Sequence, residues 1–97
     1  MPGNGDHRLK VIETERYRLH RIHLEDRWPQ LVAVFAAVFR QLSTFPKFNA
    51  GQVRGGTWLH KTKEGADAPS IWIFFEIDGV EVRLQAALAN GRESYVL

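Results

Sequence analysis

The stretch Ser70 to Leu88, SIWIFFEIDGVEVRLQAAL, constrains the fold more than any other. Two apolar-rich runs flank an Asp-Gly pair, the composition of a β-hairpin. A two-residue type I′ turn at Asp78-Gly79 predicts Ile77 opposite Val80, Phe75 opposite Val82, Ile73 opposite Leu84 and Ile71 opposite Ala86. Strand side chains alternate between faces, so Ile71, Ile73, Phe75 and Ile77 form one apolar face that must be core. The same register places Glu76 opposite Glu81, Phe74 opposite Arg83 and Trp72 opposite Gln85. Facing glutamates repel, so a basic group, Arg54 or Arg83, is expected beside them. Trp72 and Phe74 then sit on the face that ought to be watery. A pocket, a partner or a covering segment would explain them, and Trp72 is expected to remain partly accessible.

The rest of the chain supplies what covers the core face. In EDRWPQLVAVFAAVFRQLSTF, Asp26 reads as a helix N-cap and Pro29 as a first-turn residue. Trp28, Leu31, Val32, Phe35, Val38, Phe39 and Leu42 make a wide apolar stripe. Ala33, Ala36 and Ala37 leave the back of this helix with little polarity, which asks for cover by a terminus or a second copy. Pro46 closes the helix. Upstream, Arg16 to Leu24 alternates in part: Tyr17 and Leu19 share one face, and Arg16, Arg18 and His20 the other. We read it as a strand with a bulge near Arg21, a helix being the alternative. Gly51 to Gly56 reads as a turn, Thr57 to Thr62 as a strand and Lys63 to Pro69 as a hairpin loop. The expected order is strand, helix and three strands, an α+β fold with about four antiparallel strands on one main helix. The expectation is a single domain over residues 1–97, with 1–8 a loose terminus.

The 97 residues include no cysteine, which removes disulfides and thiolate metal sites and suits a reducing, cytoplasmic setting. At this size a chain buries roughly 65% of its extended surface, enough for one core. No secretory signal is legible, and the longest nearly uncharged run, Trp28 to Phe39, is too short to span a bilayer, so a soluble protein is expected. Charge is uneven. Residues 1–63 carry eleven Lys/Arg against five Asp/Glu, whereas residues 64–97 carry two against six. A basic face toward nucleic acid or an acidic protein would follow if folding keeps the halves apart.

Chemistry-bearing motifs are sparse. His20-x-x-His23 with His60 lacks a completing carboxylate pattern, so no metal and no cofactor are expected. Neither Ser43 nor Ser94 lies in a nucleophile elbow, and Gly55-Gly56 lacks the phosphate-loop lysine. Glu76 and Glu81 could form an acid/base pair, or a rim paired with arginine. Arg16, Arg18 and His20 beside Trp58 or Trp72 would suit an RNA backbone with stacked bases; a charged edge strand is the plainer reading.

The succession VRGG, a strand ending in lysines, the hairpin IWIFFEIDGVEVRLQAAL and a Tyr-bearing basic tail resembles the RelE/ParE-type toxins of toxin–antitoxin systems. The similarity covers Gln52 to Tyr95. It implies helices packed on an antiparallel sheet and, for the RelE branch, cleavage of ribosome-bound mRNA. It would place the family's basic and tyrosine positions on Lys61, Lys63, Arg83, Arg92 and Tyr95, to bind the scissile phosphate, stabilise its charge and move protons around a 2′-hydroxyl attack. The chain departs from the family where Ile71-Trp72 replaces a Tyr-Arg pair, in showing one helix rather than a helical hairpin, and in its acidic C-terminal part.

Two functions are therefore carried forward. The first is a non-catalytic binding or inhibitor protein of mobile-element or phage type, docking on a larger protein or ribonucleoprotein through Trp72, Phe74 and Arg83 or through Arg16, Arg18 and His20. The second is a RelE/ParE-like toxin acting on ribosome-bound mRNA or on a topoisomerase. The residues do not decide whether the chain is an enzyme. RNA and a second copy of the chain remain candidate partners.

Overall fold

A computed structural model describes residues 8–92. In chain order the elements are β1 (Lys10–Glu13), α1 (Glu15–Arg27), α2 (Leu31–Thr44), β2 (Ala50–Arg54), β3 (Thr57–Lys61), β4 (Ile71–Asp78) and β5 (Glu81–Ala89). The strands form one sheet in the order β1-β5-β4-β3-β2. β1 runs parallel to β5, and the other neighbours are antiparallel. The α+β class holds, with five strands rather than four and two helices rather than one.

The segment Arg16 to Leu24, read as a strand, is α1. Thr14 fixes its start: its Oγ1 accepts the Tyr17 N–H at 3.3 Å and donates to the Leu84 carbonyl at 2.6 Å. Glu15 in the first turn and Arg27 in the last suit the helix dipole. Tyr17, His20 and Leu24 are the buried residues, a helical spacing of three and four. That stripe is narrow and contains a histidine, whereas Leu19 and Ile22 stay 44% exposed, so the apolar pattern misleads. Asp26 does not cap the second helix but belongs to α1. Pro29 lies in the short link, where its carbonyl accepts the Val32 N–H at 3.1 Å. α2 buries Leu31, Phe35, Val38 and Leu42 along one side.

Both helices lie on the sheet face formed by Ile71, Ile73, Phe75, Val82, Leu84, Ala87 and Ala89, and together they make the core. Tyr17 meets Phe35 edge-on, with ring centroids 6.2 Å apart. Each large side chain removed from water here contributes on the order of 1.5–3 kcal/mol.

The hairpin has the expected core face but a different register. Asp78 pairs with Glu81, so Gly79 and Val80 are the central turn residues. Gly79 takes φ +62°, and Val80 is not among the residues with positive φ, so the turn is not type I′. A β-branched residue resists the left-handed region, and placing Gly79 first leaves it the only left-handed position. Ile77 therefore pairs with Val82 and Phe75 with Leu84, and a bulge leaves Gln85 between Leu84 and Ala86. Beyond it, Ala87 and Ala89 face the core opposite Ile73 and Ile71. Small side chains there let α1 approach closely enough for the Ala87 N–H to donate to His20 Nδ1 at 3.1 Å. The Gly51 to Gly56 segment is not only a turn, because Ala50 to Arg54 pairs with β3 as β2.

Candidate functional site

The sheet face away from the helices holds the residues that the hairpin alternation singled out. Register places Lys61 beside Trp72, Leu59 beside Phe74 and Thr57 beside Glu76. Across the next ladder, Trp72 pairs with Leu88, Phe74 with Ala86 and Glu76 with Arg83. Parallel pairing adds Ile12 next to Arg83 and Lys10 next to Glu81. Trp72 and Phe74 are half-buried on this face, as expected, and no described helix covers it.

The two ends of the face differ chemically. At one end the Lys61 ammonium stands 4.0 Å from the centroid of the Trp72 ring, a cation–π contact. The chain leaving β5 turns through Asn90 (φ 52°) and Gly91 (φ 75°) over that indole. A Cβ on Gly91 would lie 2.7 Å from a Trp72 ring carbon, so the backbone rests directly on the ring. Arg92 follows, exposed, its N–H donating to the Ala89 carbonyl at 2.9 Å. Lys63 lies just past β3 and is also exposed. Lys61, Lys63 and Arg92 thus belong to this end. Tyr95 lies outside the described residues.

Arg83 lies at the other end, four residues further along β4, or about 13 Å at strand spacing. Its guanidinium is 3.0 Å from Glu81 and 3.3 Å from Asp78. It faces Glu76 rather than Phe74, and it is the basic group expected beside Glu76 and Glu81. A cation compensated this way is poorly placed to neutralise a phosphate in addition.

Arg16, Arg18 and His20 do not form a basic strand beside Trp58 or Trp72. Arg16 and Arg18 are exposed on α1, and Arg18 is 3.2 Å from Glu15. His20 is a core residue whose Nδ1 serves as a backbone acceptor. The cation over Trp58 is Lys47, 5.0 Å from the ring centroid. Among the described residues, no group of three or more His, Asp or Glu could hold a metal ion.

A cleft of about 420 Å³ between α1 and α2 escaped the sequence reading because α1 was read as a strand. Arg21 crosses its wall, with Nε 2.6 Å from Glu13 and Nη1 3.0 Å from Glu25. The hydrogen bond to Glu13 raises the Arg21 pKa further, fixing the charge. Burial, reinforced by the Glu13 charge, pushes the Tyr17 phenol upward, so it stays neutral. Val32 and Phe39 form an exposed apolar rim, 55% and 42% accessible. Ala33, Ala36 and Ala37 are exposed as well, so nothing described covers the outer side of α2.

No family model and no curated protein matches the sequence. Solved structures do. A chain of the RelBE2 toxin-antitoxin complex from Mycobacterium tuberculosis aligns with a TM-score of 0.67 at 21% identity, covering 84% of this chain and 98% of that one. The conserved hypothetical protein HP0894 from Helicobacter pylori aligns with a TM-score of 0.50 at 12% identity, over 87% and 97% of the two chains. This chain therefore shares the fold of that RelBE2 chain, and its helices α1 and α2 stand where the sequence had been read to show one helix.

Proposed function

We propose that this protein is a RelE-like toxin whose working surface is the open sheet face, acting on ribosome-bound mRNA. The observation that carries this reading is the convergence of Lys61, Trp72, the Gly91 turn and Arg92 at one end of that face, with Lys63 at its margin. Two or three cations beside a half-buried aromatic ring suit a phosphate backbone and a stacked base. Lys61 and Arg92 bind the phosphate in this reading. In this reading the antitoxin is a protein segment that covers the apolar rim of the α1/α2 cleft, where Val32 and Phe39 are exposed.

A second reading is favoured by one observation: Arg83 is compensated by Asp78 and Glu81. A face with fewer available cations suits a protein that binds its target without cutting it, as an inhibitor does. Induced expression in a bacterial host separates the two. The toxin reading expects growth arrest with a fall in translation, relieved by Lys61→Ala or Arg92→Ala and little changed by Arg83→Ala. Arrest that survives both of the first substitutions but is lost in Trp72→Ala would support binding alone. Normal growth and translation at high expression would overturn the toxin reading.

A further inference from the structure

On the helix-covered side of the sheet, a second cleft of about 380 Å³ opens between α2 and the end of β3, lined by Val38, Gln41, Asn49, His60, Lys61 and Lys63 among others. Its composition is one-sided. The α2 wall is apolar apart from Gln41, the rim carries Lys63, and no carboxylate lines the cleft. Lys63 is exposed and makes no ion pair among the described residues. His60 is only 7% accessible, yet its Nδ1 has no hydrogen-bond partner among the described residues. Buried polar nitrogens are nearly always satisfied, so an orphan in the wall of a cleft points to a missing partner. Burial lowers the His60 pKa, and a neutral ring can still donate one N–H.

We propose that this cleft binds a small phosphorylated molecule, in chemical class a nucleoside monophosphate. Its phosphate meets Lys63 and His60, and its flat base lies along the apolar side of α2. Ammonium groups bind phosphate as point charges, and a mostly apolar cavity of a few hundred cubic ångströms is the usual container for a ligand of this size. The site shares only the marginal Lys63 with the toxin surface, because His60 and Val38 lie across the sheet from Lys61 and Trp72.

The test is an NMR titration of the full chain with adenosine monophosphate, inorganic phosphate, adenosine and succinate, following the His60 ring and the Lys63 amide. The monophosphate is expected to shift both signals saturably, with phosphate weaker and adenosine weaker still. Lys63→Ala should reduce monophosphate affinity about tenfold, the loss of one good charge contact. Arg54→Ala, at the edge strand, should leave it unchanged. A shift at His60 that does not saturate by about 10 mM monophosphate would overturn the site, since that corresponds to under 3 kcal/mol. Equal affinity for succinate would overturn the phosphate class, and equal loss in Arg54→Ala would reduce the effect to general surface charge. Because none of these readouts involves growth or RNA, failure here leaves the toxin reading standing, and the converse also holds.

Discussion

At the residue scale, Gly91 and Trp72 form a matched pair. Gly91 is needed twice over, for its φ of 75° and for the 2.7 Å approach to the indole. Gly91→Ala should destabilise the chain by about 1–3 kcal/mol, the usual range for overpacking. Adding Trp72→Leu should recover part of that loss by opening space, leaving the backbone strain. Denaturant unfolding of the two single variants and the double variant measures this coupling, and strict additivity would show that ring and turn do not press on each other. His60 gives the pH dependence. Its pKa is lowered in the folded chain by burial, so the unfolded chain takes up a proton first, near pH 6.5. Stability present above pH 6.5 is therefore lost as pH falls below it, down to the lowered folded value. His60→Leu should flatten that part of the stability curve, and an unaltered slope would assign the acid loss to other groups.

At the scale of elements, α1 shows why some of the fold was legible and some was not. The hairpin's core face was readable because Ile71, Ile73 and Phe75 repeat at period two in strongly apolar types. Its register was not, because Asp78-Gly79 can serve as a type I′ pair, whereas folding uses Gly79-Val80 and frees Asp78 to meet Arg83. α1 was misread because one of its three buried positions is His20, a polar residue buried only because the Ala87 N–H gives it a partner. That partner is 67 residues away, a tertiary fact that local pattern does not contain. Thr14, by contrast, was a local signal passed over: a threonine directly before Glu15. It ties helix to sheet through the Leu84 carbonyl, so Thr14→Ala should cost about 1–2 kcal/mol, at the upper part of the capping range. Thermal unfolding checks this, and a loss of a few tenths would show that the link to β5 contributes nothing beyond the cap.

For the whole molecule, the uneven charge along the sequence does not become a single basic face. α1's arginines are largely answered locally, Arg18 by Glu15 and Arg21 by Glu13 and Glu25, and Arg83 by its own hairpin. Lys61, Lys63 and Arg92 make no ion pair with the described carboxylates and gather at one end of the sheet. Grouping those three was possible from the resemblance in the sequence. Separating Arg83 from them required the register. No described helix is long and apolar enough to cross a membrane.

The central claim is that this cationic end of the open face acts on mRNA held by the ribosome. The most direct measurement is to add the purified protein to programmed ribosomes and map mRNA 3′ ends, with Lys61→Ala and Arg92→Ala alongside. The expected result is new ends within the ribosome-held message for the native chain, reduced at least tenfold in either variant if each cation contributes about 1.4 kcal/mol or more to the transition state. Intact message with the native chain bound to the ribosome would contradict cleavage and make this a protein that occupies its target without cutting it.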